Sequence, residues 1–237
     1  MNDRMSFDSA KALFSKYHIE LSADKYDKLA MYASLMIQES DHQNITAVKS
    51  ESAIWVRHFL DSAFLCSRFP DSTFSLIDIG SGGGIPGIPL AILMDQSEIT
   101  LLDSELHKIE FCQKCVDRLQ LNVNCVAGRA EELAKLSSYR GQFDYAVSRA
   151  MTGGNVLCEL AIAYLKVNGL LYAMKGKNFD DSYERFEPAA FVMNSKVLSV
   201  DPYSLEGEDK HLIIVQKKDT TPEQYPRRFA KIKRQPL

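Results

Sequence analysis

Asp78 opens a row in which Gly80, Gly82, Gly83 and Gly84 fill four of five consecutive positions. These residue types in this order could seat a ligand. Glycine reaches backbone conformations closed to other residues and lets a bound group approach the main chain. A carboxylate beside such a turn would repel a pyrophosphate and attract a cation. S-adenosylmethionine carries an ammonium and a sulfonium, so Asp78-x-Gly80-x-Gly82 fits it better than a dinucleotide. A competing register, Gly82, Gly84 and Gly87, spells G-x-G-x-x-G with Pro86 inside it; alone that motif is weak. A second acid, Asp103, falls 19 residues after Gly84, close to the offset of about 20 at which an acid meets ribose hydroxyls. Each of its oxygens can accept a hydroxyl hydrogen bond. That spacing serves either ligand. Arg149 ends a further apolar run and would face the same crevice.

These residues need a scaffold that brings strand ends together. The apolar run from Phe74 to Ile79 predicts a buried parallel strand, and apolar residues resume at Ile85 as a helix. Strand, glycine turn and helix begin a βαβ unit. The pattern then repeats: strand 99–102, helix 105–119, strand 122–127, strand 143–148, helix 156–165 and strand 170–174. The stretch Gly128 to Leu133 passes into a helix beside the place an adenine would occupy. Segments 196–200 and 211–216 alternate like a closing antiparallel pair. Residues 1–67 read as a helical extension. Ser22 serves as an N-cap, Asn44 to Ala47 form a break, and a second helix spans 51–67. In that helix Arg57 and Asp61 stand four apart and would pair, and His58 has a structural role. The fold class is α/β: one domain with a donor-binding core over 74–216 and a basic tail over 217–237.

Composition sets further bounds. No run of about 18 apolar residues exists, and the N-terminus lacks a signal-peptide core, so a cytoplasmic protein is expected. Five cysteines are scattered, and Cys112 and Cys115 read as buried thiols rather than a metal or redox pair. The net charge of −3 does not announce nucleic acid, but from Lys217 onward seven basic residues stand against two acids. Local charge is what a phosphate backbone feels. Tyr203 and Tyr225 are expected to pack rather than stack on bases.

The row from Leu76 to Leu90, Leu-Ile-Asp-Ile-Gly-Ser-Gly-Gly-Gly-Ile-Pro-Gly-Ile-Pro-Leu, resembles the donor-binding signature of the bacterial small-subunit ribosomal RNA guanine-N7 methyltransferases, the RsmG or glucose-inhibited division protein B family. Asn44 to Ala47, Arg57 to Ser62, Leu102 to Ser104, Ser148 to Ala150, Met174 to Gly176 and the ending Tyr225 to Arg228 resemble its other motifs. The match spans most of the chain. The resemblance implies a Rossmann-like class I methyltransferase sheet with helices on both faces. It also implies methylation of a guanine N7 in small-subunit (16S) RNA with S-adenosylmethionine and no metal. By motif, Gly80 and Ile85 would line the donor site with Asp78 and Gly82. Asp103 would hold the ribose, Ala130 and Glu131 would border the adenine, and Arg149 would reach the same pocket as the catalytic position. Arg129, Lys175, Arg227 and Arg228 match basic positions placed toward RNA. The implied partner is ribosomal RNA or a ribosomal particle, with no membrane and no DNA, and the protein is expected to be a monomer.

Two other readings stay open. A nicotinamide-dependent oxidoreductase would use Gly82, Gly84, Gly87 and Asp103 but leaves Asp78 without a role. A non-catalytic RNA-binding assembly factor would have no need of the glycine turn with both acids. Guanine N7 carries a lone pair and no proton, so its methylation requires positioning rather than a general base, and no paired acid–base residues are expected.

Overall fold

The computed structural model describes residues 4–40 and 43–237. Helices α1 (Phe7–Ser15) and α2 (Ala23–Ser40) come first, and Lys25 N–H donates to the predicted Ser22 cap at 3.3 Å. A loop carrying Asn44 to Ala47 leads to α3 (Glu51–Ile54), which runs into a π-helical stretch, Trp55–Leu60, and then α4 (Asp61–Ala63). The helix expected over 51–67 is therefore wound unevenly and ends early. In the π-helical stretch each turn closes on i+5. Asp61 is buried, where Arg149, Lys210 and Tyr203 occupy it, while the Arg57 side chain is exposed. The expected pair does not form, and Arg57 meets Glu208 instead at 3.0 Å.

The remaining chain alternates. In order come β1 (Ser75–Ile79), α5 (Gly87–Leu93), β2 (Glu98–Asp103), α6 (Leu106–Leu119), β3 (Val123–Ala127), α7 (Ala130–Leu133), β4 (Phe143–Arg149) and α8 (Gly154–Ala161). Then follow β5 (Leu165–Gly176), α9 (Asp181–Glu184), α10 (Phe186–Val192), β6 (Ser195–Leu205), β7 (Glu208–Lys217) and α11 (Phe229–Arg234). The seven strands form one sheet in the order β3-β2-β1-β4-β5-β7-β6, with only β7 antiparallel to its neighbours. Strand order reverses between β1 and β4, where doubly wound sheets open a crevice at their carboxyl ends.

Several boundaries differ from expectation, most of all in three places. α5 begins at Gly87 because the glycine turn runs on through Pro86. α8 stops at Ala161, and a 3-10 turn, Ile162–Tyr164, feeds β5 directly. The closing pair is twice the expected length, a hairpin turning at Glu206 and Gly207.

Alternation along β1 divides the core. Leu76 faces α1, α2, α5 and α6, and Ile77 and Ile79 face α8 and α10. The N-terminal extension shares the first of these cores. Tyr32, Trp55 and Phe59 are fully buried there, with Tyr32 stacked on Phe59 at 5.6 Å. Tyr32 also donates its hydroxyl to the Gly83 carbonyl, and Ile45 lies against Gly83, so the extension braces the glycine turn. Among the described residues no helix is long and apolar enough to cross a membrane.

Candidate active site

A cleft of about 450 Å³ opens at the switch point, within the roughly 300–1,000 Å³ range of small-molecule sites. Gly80 and Gly82, with φ of +73° and +56°, form its floor. At that φ a side chain at Gly80 would be strained, and its Cβ would also push Met151 Sδ, 2.5 Å away, aside. Asp103 stands at the end of β2, where one oxygen accepts from Gly82 N–H and the other from Glu105 N–H, both at 2.9 Å. Each oxygen keeps a further lone pair for a hydroxyl. Ala130 and the nearly buried Glu131 supply the wall beyond β3, and Met151, Val156 and Leu160 supply an apolar wall beyond β4.

Two expected residues do not line this cleft. Ile85 is half-buried and packs against the core of the N-terminal face. Asp78 is fully buried. The two-residue period of a strand turns its side chain to the face that carries Leu76, under the start of α5. There its Oδ2 accepts from Gly87 N–H at 2.9 Å, and its Oδ1 has no partner. Burial pushes the Asp78 carboxyl up to about 7; the Gly87 bond opposes the rise, the nearby Asp103 charge adds to it, and Arg149 offsets it.

Arg149 lines the cleft from the end of β4. It pairs with neither Asp78 nor Asp103. Its Nε lies 3.4 Å from Asp61 Oδ2, and its Nη2 donates to His58 Nδ1 at 3.1 Å. Asp61, nearly buried, also holds Lys210 Nζ at 3.0 Å and accepts from Tyr203 Oη at 3.0 Å. Because Nδ1 accepts, His58 is the neutral tautomer whose Nε2–H donates to Thr46 Oγ1 at 2.8 Å. Burial, reinforced by the Arg149 charge, pulls its pKa down to about 4. Sequence reading gave His58 a bland structural role and Asp61 only a pairing with Arg57. The signal was two polar residues near an otherwise buried helix face. The Arg149 Nη1 atom is buried with no partner. An orphan cationic donor in the cleft wall and an orphan carboxylate oxygen beneath the start of α5 are thus both buried. An amino acid, with one carboxylate and one ammonium, offers the complementary pair of groups.

The basic positions expected to face RNA have different surroundings. Arg227 is held by the fully buried Glu159, its Nε donating at 2.8 Å and its Nη2 at 2.5 Å. Lys175 pairs with Glu184 at 2.6 Å, and its side chain is 9% exposed. Lys217, counted with the tail, is buried, donates to the Leu165 carbonyl at 2.7 Å and has its pKa lowered to about 8 by desolvation. Arg129 stacks over the Phe229 ring at 4.3 Å and reaches Glu131 at 3.2 Å. Arg228 is exposed. Phe229 itself lines the cleft, a contribution from the tail that sequence reading missed. Cys112 and Cys115 are buried free thiols, and Cys112 Sγ donates to the Gly82 carbonyl.

Comparison with known proteins agrees with this geometry. Among solved structures, M. jannaschii TYW2 in complex with AdoMet superposes with a TM-score of 0.52 at 11% identity, covering 85% of this chain and 80% of that one. A branched-chain polyamine synthase mutein from Thermus thermophilus gives 0.57 at 7% identity, over 80% of this chain and 64% of its own. At such identities the likeness speaks for the fold. The sequence relatives say more. Ribosomal RNA small subunit methyltransferase G of Clostridium perfringens is 35% identical over 236 residues, 98% of both chains. The protein of that name from Lactococcus lactis subsp. cremoris is 30% identical, over 98% of this chain and all of its own. The model of the GidB family, rRNA small subunit methyltransferase G, matches residues 25–213. By the family model over residues 25–213 and by relatives matched along nearly the whole chain, the chain belongs to the rRNA small subunit methyltransferase G family.

Proposed function

We propose that this enzyme methylates N7 of a guanine in 16S ribosomal RNA in the cytoplasm, with S-adenosylmethionine as donor. The observation that carries the reading is the switch-point cleft, floored by Gly80 and Gly82 and lined by Asp103 and by Arg149, whose Nη1 is buried without a partner. The donor, when bound, supplies an activated methyl on a cationic sulfur. In this reading Gly80 and Gly82 let it lie against the backbone, and Asp103 accepts from its ribose. Ala130, Glu131 and Phe229 enclose its base. Arg149 Nη1 takes its carboxylate, and Asp78, ionised, balances its cationic end.

Guanine N7 offers an in-plane lone pair. The new C–N bond forms as the C–S bond breaks, the electron pair stays on sulfur, and no proton moves. The chain's task is then alignment, which can lower a barrier by roughly 7–11 kcal/mol. The RNA must present an unpaired or everted base, because A-form RNA hides N7 in a narrow groove.

Calorimetric titration with S-adenosylmethionine and NAD side by side tests the donor. The first should bind, and Arg149→Glu should abolish both binding and methyl transfer while the fold survives. Equal or preferred binding of NAD would contradict the reading.

A further inference from the structure

A second cleft, of about 420 Å³, opens on the other side of the segment 150–152. Ala150, Met151 and Thr152 line both clefts. Ala150 holds a φ of +52° there, a conformation uncommon for a residue with a side chain and one that collects at functional sites. The opposite wall comes from the end of β5 and the chain after it, through Lys175, Lys177, Phe179 and Glu184.

Two of these residues are unusual for a surface depression. Lys175 and Glu184 pair at 2.6 Å, with side chains only 9% and 16% exposed. Lys175 Nζ also donates to the Thr152 carbonyl, and Glu184 Oε2 accepts from Gly154 N–H at 3.1 Å. A donor and an acceptor are thus fixed side by side in the cleft wall, the lysine next to the segment shared with the first cleft. Phe179 is half-buried beside His211, ring centroids 5.2 Å apart, and so offers a fixed aromatic surface.

We infer that this second cleft holds the guanine that receives the methyl group, its edge read by Lys175 and Glu184 and its face stacked on Phe179. The inference rests on the reading above. Guanine presents O6, N1–H and the 2-amino group in sequence: one acceptor, then two donors. Lysine followed by carboxylate matches that order. Adenine presents a donor first and an acceptor second, which sets its amino group against the ammonium and its ring nitrogen against the carboxylate. N7 neighbours O6 on the purine. With O6 at Lys175, beside Thr152, N7 faces the wall shared with the donor cleft. Both edge groups are tied up in a base pair, so the cleft selects an unpaired guanine. Stacking of a base on an aromatic ring contributes about 1–3 kcal/mol and is indifferent to sequence, so selection falls to the ion pair.

The test uses small-subunit RNA lacking the modification, with guanosine or inosine at the methylated nucleotide. Inosine keeps O6, N1–H and N7 and lacks only the 2-amino group. Wild-type kcat/KM should fall roughly ten- to a hundred-fold on inosine, the loss expected for a hydrogen bond to a charged partner. Glu184→Met should bring the guanosine-to-inosine ratio near one while the dissociation constant for S-adenosylmethionine stays unchanged. Phe179→Ala should raise KM for RNA about tenfold or more, and Phe179→Tyr should restore it. An inosine penalty that persists in Glu184→Met, or donor binding that weakens together with rate, would overturn the inference. Failure of the wild type to methylate either RNA would overturn the activity reading and this inference with it.

Discussion

Asp78 and Arg149 each carry a charged group with a buried atom left without a partner, and each can be probed alone. The Asp78 carboxyl sits near 7 in the folded protein, above the roughly 3.9 of an unfolded chain. Between those values the native state holds the extra proton, so stability falls as pH rises from about 4 to 7. Asp78→Asn removes that dependence. The wild type should lose melting temperature relative to the variant between pH 5 and pH 8, and a constant difference would show that the carboxylate is not stranded. Asp61→Asn takes the shared carboxylate from Arg149 and Lys210, which keep only His58 and a long contact to Glu208. Breaking a buried pair costs roughly 3–5 kcal/mol. The variant should melt lower and bind S-adenosylmethionine more weakly, and donor affinity equal to wild type would release Asp61 from any part in aiming Arg149. Asp103 and Arg149 were legible in the sequence because strand ends announce themselves where apolar runs stop. The His58 and Asp61 contacts to Arg149 were not, since their partner lies 91 positions away for His58 and meets them only in the folded chain.

Among elements, the strands were read from alternation and the deviations have local causes. β6 continues past Val200 through Asp201 and Pro202. That dipeptide reads as a breaker, yet β6 is the sheet's edge, where proline needs no ladder partner on its open side. The π-helical stretch was invisible because its apolar residues also satisfy an α-helical period. In sequence the tail reads as a basic segment turned toward RNA. Instead Arg140 donates to the carbonyls of Thr221 and Tyr225, both at 2.9 Å, and Glu159 clasps Arg227. That clasp carries Phe229 to the mouth of the cleft. Glu159→Ala should therefore lower the melting temperature, with a loss of about 3–5 kcal/mol, and also weaken S-adenosylmethionine binding, read by urea melts and calorimetry. Unaltered donor affinity would separate the tail from the site.

At the scale of the whole molecule, an acidic body bears a basic end. Arg228, Lys231, Lys233 and Arg234 are exposed, and they follow the clasped Arg227 and flank the Phe229 that lines the donor cleft. The surface that could meet phosphates thus adjoins the cleft. Arg228→Ala should leave donor binding intact and flatten the salt dependence of RNA affinity by about one unit of slope; an unchanged slope would remove Arg228 from the RNA contact. The most direct measurement of the central claim is to incubate the protein and labelled S-adenosylmethionine with small-subunit ribosomal RNA from cells that lack it, then map the methyl by cleavage chemistry specific for 7-methylguanine. One labelled guanine, cleaved at N7 and absent with Arg149→Glu, is the predicted result. Label on another atom or base, or no transfer while the donor binds, would contradict it.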